Sequence, residues 1–512
     1  MKRFYIVFAS LMVLALFVSA CGAAGSPGEE QSAQPVVLVI GSNGGQLTSM
    51  DRFANFGFVV DDTSSLFTDP LVGSDHHQNY EPGLATEWTP SADYISWTFK
   101  LREGVKFHSG NDFTSADVKF TFERLLTDKT LTDVGSWGNL DHVDTPDAYT
   151  AVIVLKGVGP TFLDEIGRVY ILDSKAYEAD PANYFYLPSG TGAFKVTSFD
   201  KTTGEIHYAR NDAWWGWTEA NKTNVDQIIY KQIGDDTTRA SALQAGDVDI
   251  ATQLTPDYKT KLDESKYNII TVNSDVHTHI QFNCAEGKIF NDKNLREALS
   301  LSIDRKSLVE SILSGGATVA DFPVPPGNLG YVAGYTYEYN VDRAKELVAA
   351  SAYKGEEIVM IVSNTAITRA AETAQAIQAM AAQAGFNIKI DAQENASFMD
   401  RRFAGDFDLS LGSFAATAGD PQVEAGVIIN FDVFKSGYVN EELHALTMSI
   451  MGMADRAERG KVLEQIFTIE MNEFAPFVYL YNSSYIYGTA KNVENLTVYA
   501  DGSANYKFVT KN

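Results

Sequence analysis

Residues 96–118 read SWTFKLREGVKFHSGNDFTSADV, and this stretch combines a strand, turns and the start of a helix. Trp97 to Leu101 alternates apolar and polar side chains, which is the pattern of a strand with one buried face. Glycines then favour turns. From Ser115 to Leu126 apolar residues recur at helical spacing, and Thr114 or Ser115 is placed to cap that helix. The stretch therefore predicts a chain that mixes strands and helices closely.

The rest of the chain continues this mixture without a fixed repeat. The same reasoning predicts strands at Val36–Ile40, Tyr149–Leu155, Glu205–Arg210 and Asn387–Ile390. It predicts long helices at Leu295–Ile312, Thr368–Ala384 and Ala454–Met471. Interleaved helices and strands over this length indicate an α/β protein of more than one lobe.

The first 21 residues have the pattern of a secretory signal. Two basic residues precede the apolar run Phe4–Val18, which is too short for an ordinary membrane span. The next residues complete a Val-Ser-Ala-Cys sequence that resembles a bacterial lipobox, which implies cleavage before Cys21 and lipidation of its thiol. We therefore predict a signal peptide at residues 1–20 and a lipidated Cys21 followed by a flexible tether to residue 35. The expected location is the cell envelope, on the outer face of the cytoplasmic membrane or in the periplasm.

Composition narrows the class of partner. The chain has 512 residues and a formal net charge of −26, so it lacks the excess of basic residues that nucleic acids and anionic membrane faces attract. Its second cysteine, Cys284, has no partner for an internal disulfide if Cys21 is lipidated. Because Cys284 lies in an apolar run, we interpret it as a small buried side chain and not as a nucleophile.

Several segments in a fixed order carry a family resemblance. The first are YEPGLATEW at residues 80–88 and the stretch at 97–118. Others follow at Gly190–Phe194, Asn211 with Trp214-Trp215, Ala242–Ile250, Arg296–Ser300 and Ile303–Arg305. Together they resemble the family 5 extracellular solute-binding proteins, the peptide, nickel and oligosaccharide receptors of ABC importers. The set spans nearly the whole mature chain.

The resemblance implies an α/β fold of two lobes, that of type II periplasmic binding proteins, with solute enclosed between them. Lobe I would contain residues 36–275 and 477–512, with a subdomain inserted at 81–185. Lobe II would contain residues 276–476. Two chain crossings would form a hinge, and ligand would stabilise the closed state because only there do both lobes touch it.

The implied function is that of a receptor and not of an enzyme. We expect a monomeric lipoprotein that delivers a peptide-like solute to ABC permease subunits, with no cofactor and no metal. Oligosaccharide binding and nickel-chelate binding stay open as alternatives, as does a sensory role. An envelope enzyme such as a glycosidase is the alternative of another class. It has little support, because no nucleophile elbow, zinc-binding helix or phosphate loop is present in the sequence.

The loop at residues 412–421 is the predicted ligand site. Phe414 occupies the aromatic position that the resemblance places there, and Asp420-Pro421 forms the later pair. In peptide-binding members an aspartate between them pairs with the peptide's α-ammonium, whereas this chain has Ala416 and Thr417. A buried ammonium without a carboxylate is costly. The loop therefore predicts ligand contacts from Phe414, Thr417 and Asp420 and argues against that particular anchor for a peptide.

Other side chains are candidates for the cleft. Arg369 lies at the start of a predicted helix. It either binds a carboxylate or phosphate group of the ligand, or is an ordinary arginine on the helix surface. His277 and His279 lie two residues apart on a predicted strand and therefore share one face of it. They are either part of a polar cleft wall or two ligands of a metal ion. Gly190-Thr191 lies in a glycine-rich turn that lacks the lysine of a phosphate loop, so we predict a tight turn near the cleft.

Overall fold

The structure is a computed structural model that describes residues 34–44, 47–54, 58–74, 80–131, 137–415, 420–426 and 432–512. Residues 36–512 form one compact unit. The predicted signal peptide and the lipidated Cys21 lie outside the described residues. In the part of the chain that the structure describes, no helix has the length and apolarity needed to cross a membrane.

Strands and helices alternate throughout the compact unit. The strands are β1 Val37–Ser42, β2 Val72–Ser74, β3 Tyr80–Pro82, β4 Ala85–Pro90, β5 Ser96–Leu101, β6 Leu140–Asp147, β7 Thr150–Leu155, β8 Phe194–Asp200, β9 Glu205–Arg210, β10 Gln227–Gln232, β11 Ile250–Ala251, β12 Tyr267–Phe282, β13 Ala317–Val319, β14 Ile358–Ser363, β15 Ile388–Gln393, β16 Leu409–Ala415, β17 Phe477–Ala490, β18 Val493–Glu494, β19 Thr497–Val498, β20 Ala504–Asn505 and β21 Thr510–Lys511. The α-helices are α1 Phe58–Phe67, α2 Ser115–Thr127, α3 Phe162–Ile166, α4 Ser174–Ala179, α5 Asp236–Ala245, α6 Tyr258–Lys261, α7 Lys293–Ser302, α8 Arg305–Ser307, α9 Val341–Ala350, α10 Ala370–Gln383, α11 Asn395–Ala404, α12 Glu441–Ile450 and α13 Arg456–Glu473.

Among the described residues, eleven strands form one large sheet in the order β15-β14-β16-β12-β17-β11-β1-β10-β9-β8, with β13 also paired to β17. The long antiparallel strands β12 and β17 form its centre. Their register is regular from Tyr267 to Asn273, is interrupted before His277 and shifts again before His279. Beside the first part of this pair, β17 pairs with β11, which pairs with β1. Beside the second part, β12 pairs with β16, which pairs with β14. Two groups of strands are thus joined through one irregular strand pair.

The stretch that opens the sequence analysis builds a separate small sheet of order β4-β5-β7-β6. Trp97, Phe99 and Leu101 are buried on one face of β5, as the alternation predicts. Helix α2 packs on this sheet and begins at a capping box formed by Thr114 and Asp117. The sheet and helix enclose a core of their own.

Most predicted elements are present within a few residues of their predicted ends. Strand β9 has the predicted bounds, and Gly246 ends α5 in a left-handed conformation at a φ of 81°. The single helix predicted at Leu295–Ile312 is wrong. Ile303 is extended and Asp304 accepts a hydrogen bond from the Ser307 backbone N–H, so a new helix starts there. A π-helical turn follows at Leu308–Ile312.

Candidate functional site

Two cavities share the region of helix α3 as a wall. The first has a volume of about 220 Å³ and is lined by residues of α1 and the segment after it, by residues 164–170 in and after α3, and by residues 499–507. The second has a volume of about 250 Å³, and its lining includes Phe162 and Glu165 of α3 together with Gln422 and Met451. Helix α3 and residues far from it in sequence therefore line the same cavities.

The first cavity is rich in carboxylates. Asp61, Asp62, Asp164 and Asp501 line it together with two cations. Burial raises the pKa of Asp62 well above its usual value, although the Ala504 backbone N–H donates a hydrogen bond to it. Burial also raises the pKa of Asp61, and the paired Arg52 opposes that rise. Buried carboxylates are costly to ionise without a nearby positive charge. A cationic group that entered this cavity would therefore stabilise their ionised forms.

Asp164 connects this cavity to the opposite side. Its Oδ1 accepts a hydrogen bond from the Tyr80 hydroxyl at 2.7 Å. Burial raises the pKa of Asp164 to about 6, against the effect of that hydrogen bond. Charges on Asp420, Arg456 and Arg459 also act on the carboxyl. The electrostatic environment of α3 therefore includes the part of the chain that contains the predicted ligand loop.

The predicted ligand loop is described only in part. Phe414 is half-buried at the end of β16, and its ring centroid lies 6.3 Å from that of His277. Thr417 lies outside the described residues. Asp420 is 1% exposed, and its Oδ2 lies 2.6 Å from Nη2 of the equally buried Arg459. The Asp420 carboxylate is thus already neutralised by a partner within the chain.

The two predicted histidines lie in the interior. His277 and His279 are 0% and 2% exposed, and their Nδ1 atoms are 3.4 Å apart. His277 Nε2 lies 2.9 Å from Oε1 of Glu424, which also accepts a hydrogen bond from the Tyr479 hydroxyl. Within the described ranges no three His, Cys, Asp or Glu side chains are grouped to hold a metal ion. Sequence reasoning missed Glu424 and Tyr479, although Glu424 follows Asp420-Pro421 closely.

Arg369 joins two distant segments. It precedes α10 in a left-handed conformation with a φ of 55°, and its Nη2 lies 2.5 Å from Oδ1 of Asp257. Asp257 also accepts hydrogen bonds from Lys261 and from the Ser314 hydroxyl. The Lys261 hydrogen bond is the main cause that lowers the pKa of Asp257, and Arg369 contributes. Arg369 therefore pairs with an anionic group, and in this structure that group is the Asp257 carboxylate of the same chain.

Gly190 and Thr191 form a buried turn against the end of α1. A Cβ atom on Gly190 would lie 2.0 Å from the carbonyl oxygen of Phe67, so only glycine allows this approach. The Thr191 hydroxyl donates to Asp69 at 3.0 Å, and Asp69 also accepts hydrogen bonds from the indole N–H groups of Trp214 and Trp215. In this structure the turn is part of the protein interior, where it packs against Phe67 and Asp69.

Comparisons with known proteins agree with this architecture. A family model described as bacterial extracellular solute-binding proteins, family 5 Middle, matches residues 79–425. The probable D,D-dipeptide-binding periplasmic protein DdpA of Escherichia coli is 28% identical over 428 residues, 81% of each chain. Heme-binding protein A of Haemophilus influenzae is 28% identical over 444 residues, 78% of each chain. The structure of HbpA2 from Haemophilus parasuis superposes with a TM-score of 0.81 and 24% identity, covering 93% of this chain and 100% of that one. The fold is that of type II periplasmic binding proteins.

Proposed function

We propose, because this chain belongs to the bacterial extracellular solute-binding proteins of family 5, that it captures a peptide-like solute and delivers it to the permease of an ABC importer. The solute would be held between two lobes, whose closed arrangement it stabilises by touching both. The proposal also includes export through residues 1–20 and a lipid anchor at Cys21.

We propose the lobes predicted from the sequence, residues 36–275 with 477–512 and residues 276–476, with one refinement. Val478, Leu480 and Tyr481 pack in the core that contains β14, β16 and α10. Tyr487 and Val493 pack in the core that contains β1 and β10. The second chain crossing would therefore lie within β17, after residue 481, opposite the irregular register of β12.

The observation that carries the proposal is the pair of cavities around α3. In the proposed division, α3 belongs to lobe I, whereas Gln422 and Met451 belong to lobe II. A solute in this position would touch both lobes. The carboxylates of the adjoining cavity favour a solute with a cationic end, and the α-ammonium of a peptide is such a group. This assigns the amine to the α3 cavity in place of the aspartate that the loop lacks.

The predicted site residues divide into two groups. We propose that Phe414, Thr417 and Arg369 contact the solute, with Arg369 exchanging Asp257 for an anionic group of the solute. The buried contacts of the others favour positioning roles, and these residues are Asp420, His277, His279, Gly190 and Thr191.

Thermal unfolding of purified protein with a panel of solutes tests this function. Free-amine di- and tetrapeptides are expected to raise the midpoint, because a ligand at a hundred times its Kd stabilises the native state by about 2.7 kcal/mol. The matched control is the same peptides with acetylated N-termini, which lack the cationic end and should shift the midpoint much less. A shift with oligosaccharides or nickel–histidine alone would contradict the peptide assignment and favour those alternatives.

A further inference from the structure

A buried polar network of four side chains joins β12, β17, α13 and segment 420–426. His277 lies on β12 directly after its register interruption, Tyr479 lies on β17 and Glu470 lies on α13. Glu424 lies in segment 420–426, which also supplies Gln422 to the cavity wall opposite α3. All four side chains are at most 1% exposed. The network therefore connects β12 and β17, the strand pair with the irregular register, to segment 420–426, which lines a cavity together with α3.

Two carboxyl groups share the one hydroxyl of Tyr479. The Tyr479 hydroxyl lies 3.1 Å from Oε1 of Glu424 and 2.9 Å from Oε1 of Glu470. One hydroxyl has a single hydrogen and can donate to only one of them. A proton on the other carboxyl lets that group donate to the Tyr479 oxygen, so that two carboxylates do not compete for one hydrogen.

Glu470 is the group that holds this proton. Burial raises its pKa well above the usual value, and the neighbouring Glu424 adds to that rise. Glu424 also lies close to His277, whose Nε2 is 2.9 Å from the same oxygen. Protonated Glu470 then donates to the Tyr479 oxygen, Tyr479 donates to Glu424, and His277 Nε2 lies beside the same Glu424 oxygen.

The charged and titratable groups around the network are His279 and Arg402, Tyr337 and Arg305, and the pair Asp420–Arg459. Burial, followed by the charges of His277 and Arg402, lowers the pKa of His279 well below its usual value, so this ring stays neutral. Burial lowers the pKa of both Arg305 and Arg402 to about 10, which leaves them charged at neutral pH.

We propose that Glu424 and His277 are positioning residues that hold segment 420–426 on the crossing strands, and that the proton on Glu470 makes this hold depend on pH. The proposal rests on the proposed function for the claim that the segment faces a solute. When Glu470 loses its proton, two carboxylates compete for the one hydrogen of Tyr479, and Glu424 with its segment is repelled. Because the folded protein raises the pKa of Glu470, this stabilisation is present at low pH and is lost as pH rises above the usual glutamate range.

Hydrogen–deuterium exchange of the purified protein without solute tests the proposal separately from the function. The protection factor of segment 420–426, corrected for intrinsic exchange, is expected to fall at least tenfold between pH 5 and pH 8, whereas that of α2 stays constant. In Glu470→Gln the amide donates to Tyr479 at every pH, so the fall should disappear. Glu473→Gln is the matched control on the same helix, because Glu473 is 36% exposed and pairs with Lys293 at the surface. It should retain the wild-type profile.

A Glu470→Gln profile identical to that of the wild type would overturn the proposal. If that variant does not fold, Tyr479→Phe replaces it, since removal of the shared hydroxyl should lower the protection of the segment at pH 5 and abolish its pH dependence. An unchanged profile in Tyr479→Phe would also overturn the proposal. Peptides that fail to bind in the thermal panel would leave this exchange result intact and count against the function alone.

Discussion

Replacement of Asp420 by asparagine is expected to lower the free energy of unfolding by about 3–5 kcal/mol. Asp420 and Arg459 are each 1% exposed, and two guanidinium nitrogens lie 2.6 and 3.2 Å from Asp420 Oδ2. Asparagine retains the shape and the hydrogen bond from the Gln422 backbone N–H, but it leaves a cation buried without its counter-charge. The cost is therefore that of an uncompensated buried charge.

Urea unfolding monitored by tryptophan fluorescence measures this change. The matched control is Asp391→Asn, because Asp391 is 40% exposed and its pair with Arg401 lies at the surface. Such pairs contribute about 0–1 kcal/mol. A loss of less than 1 kcal/mol in Asp420→Asn would show that the buried pair does not stabilise the fold and would return Asp420 to the candidates for solute contact.

Replacement of Gly190 by alanine is expected to lower the free energy of unfolding by about 3 kcal/mol. The new Cβ would lie 2.0 Å from the Phe67 carbonyl oxygen and 2.8 Å from its carbonyl carbon, so two backbone segments would have to separate. Because the neighbouring Thr191 bonds to Asp69, the shift would also disturb the contacts of Asp69 with the tryptophans.

Gly234→Ala is the control for this substitution, since its Cβ would meet no atom within 4 Å. It should change the stability by less than about 0.5 kcal/mol. Thermal unfolding of both variants gives the comparison. Equal midpoints for Gly190→Ala and the wild type would contradict the close backbone approach and would favour an open turn at this position.

The sequence predicts local elements well where the signal is local. Helix α2 has its apolar spacing and its capping residue within one short stretch, and it ends one residue after the predicted end. The helix predicted at Leu295–Ile312 was wrong for the same kind of local reason. Asp304 is a strong cap, but the apolar pattern on both sides of it favours an uninterrupted helix.

The candidate site could be predicted only in part, because its contacts join residues that are far apart in sequence. The resemblance directed attention to Phe414 and Asp420, but neither composition nor spacing indicates that Asp420 pairs with Arg459. The histidine pair was visible as two residues on one strand face. Its partner Glu424 was not, because β12 and segment 420–426 meet only through tertiary packing.

The same limit applies to the cavity at α3. Its carboxylates come from α1, from α3 and from the segment before β20, and no sequence motif joins these three regions. The fold brings them together.

Small-angle X-ray scattering of the purified protein, with and without the peptide that gives the largest thermal shift, tests capture between two lobes most directly. The account predicts a smaller radius of gyration at saturation, because a solute that contacts both α3 and segment 420–426 favours the closed arrangement. An unchanged radius, with saturation verified by calorimetry on the same sample, would contradict it.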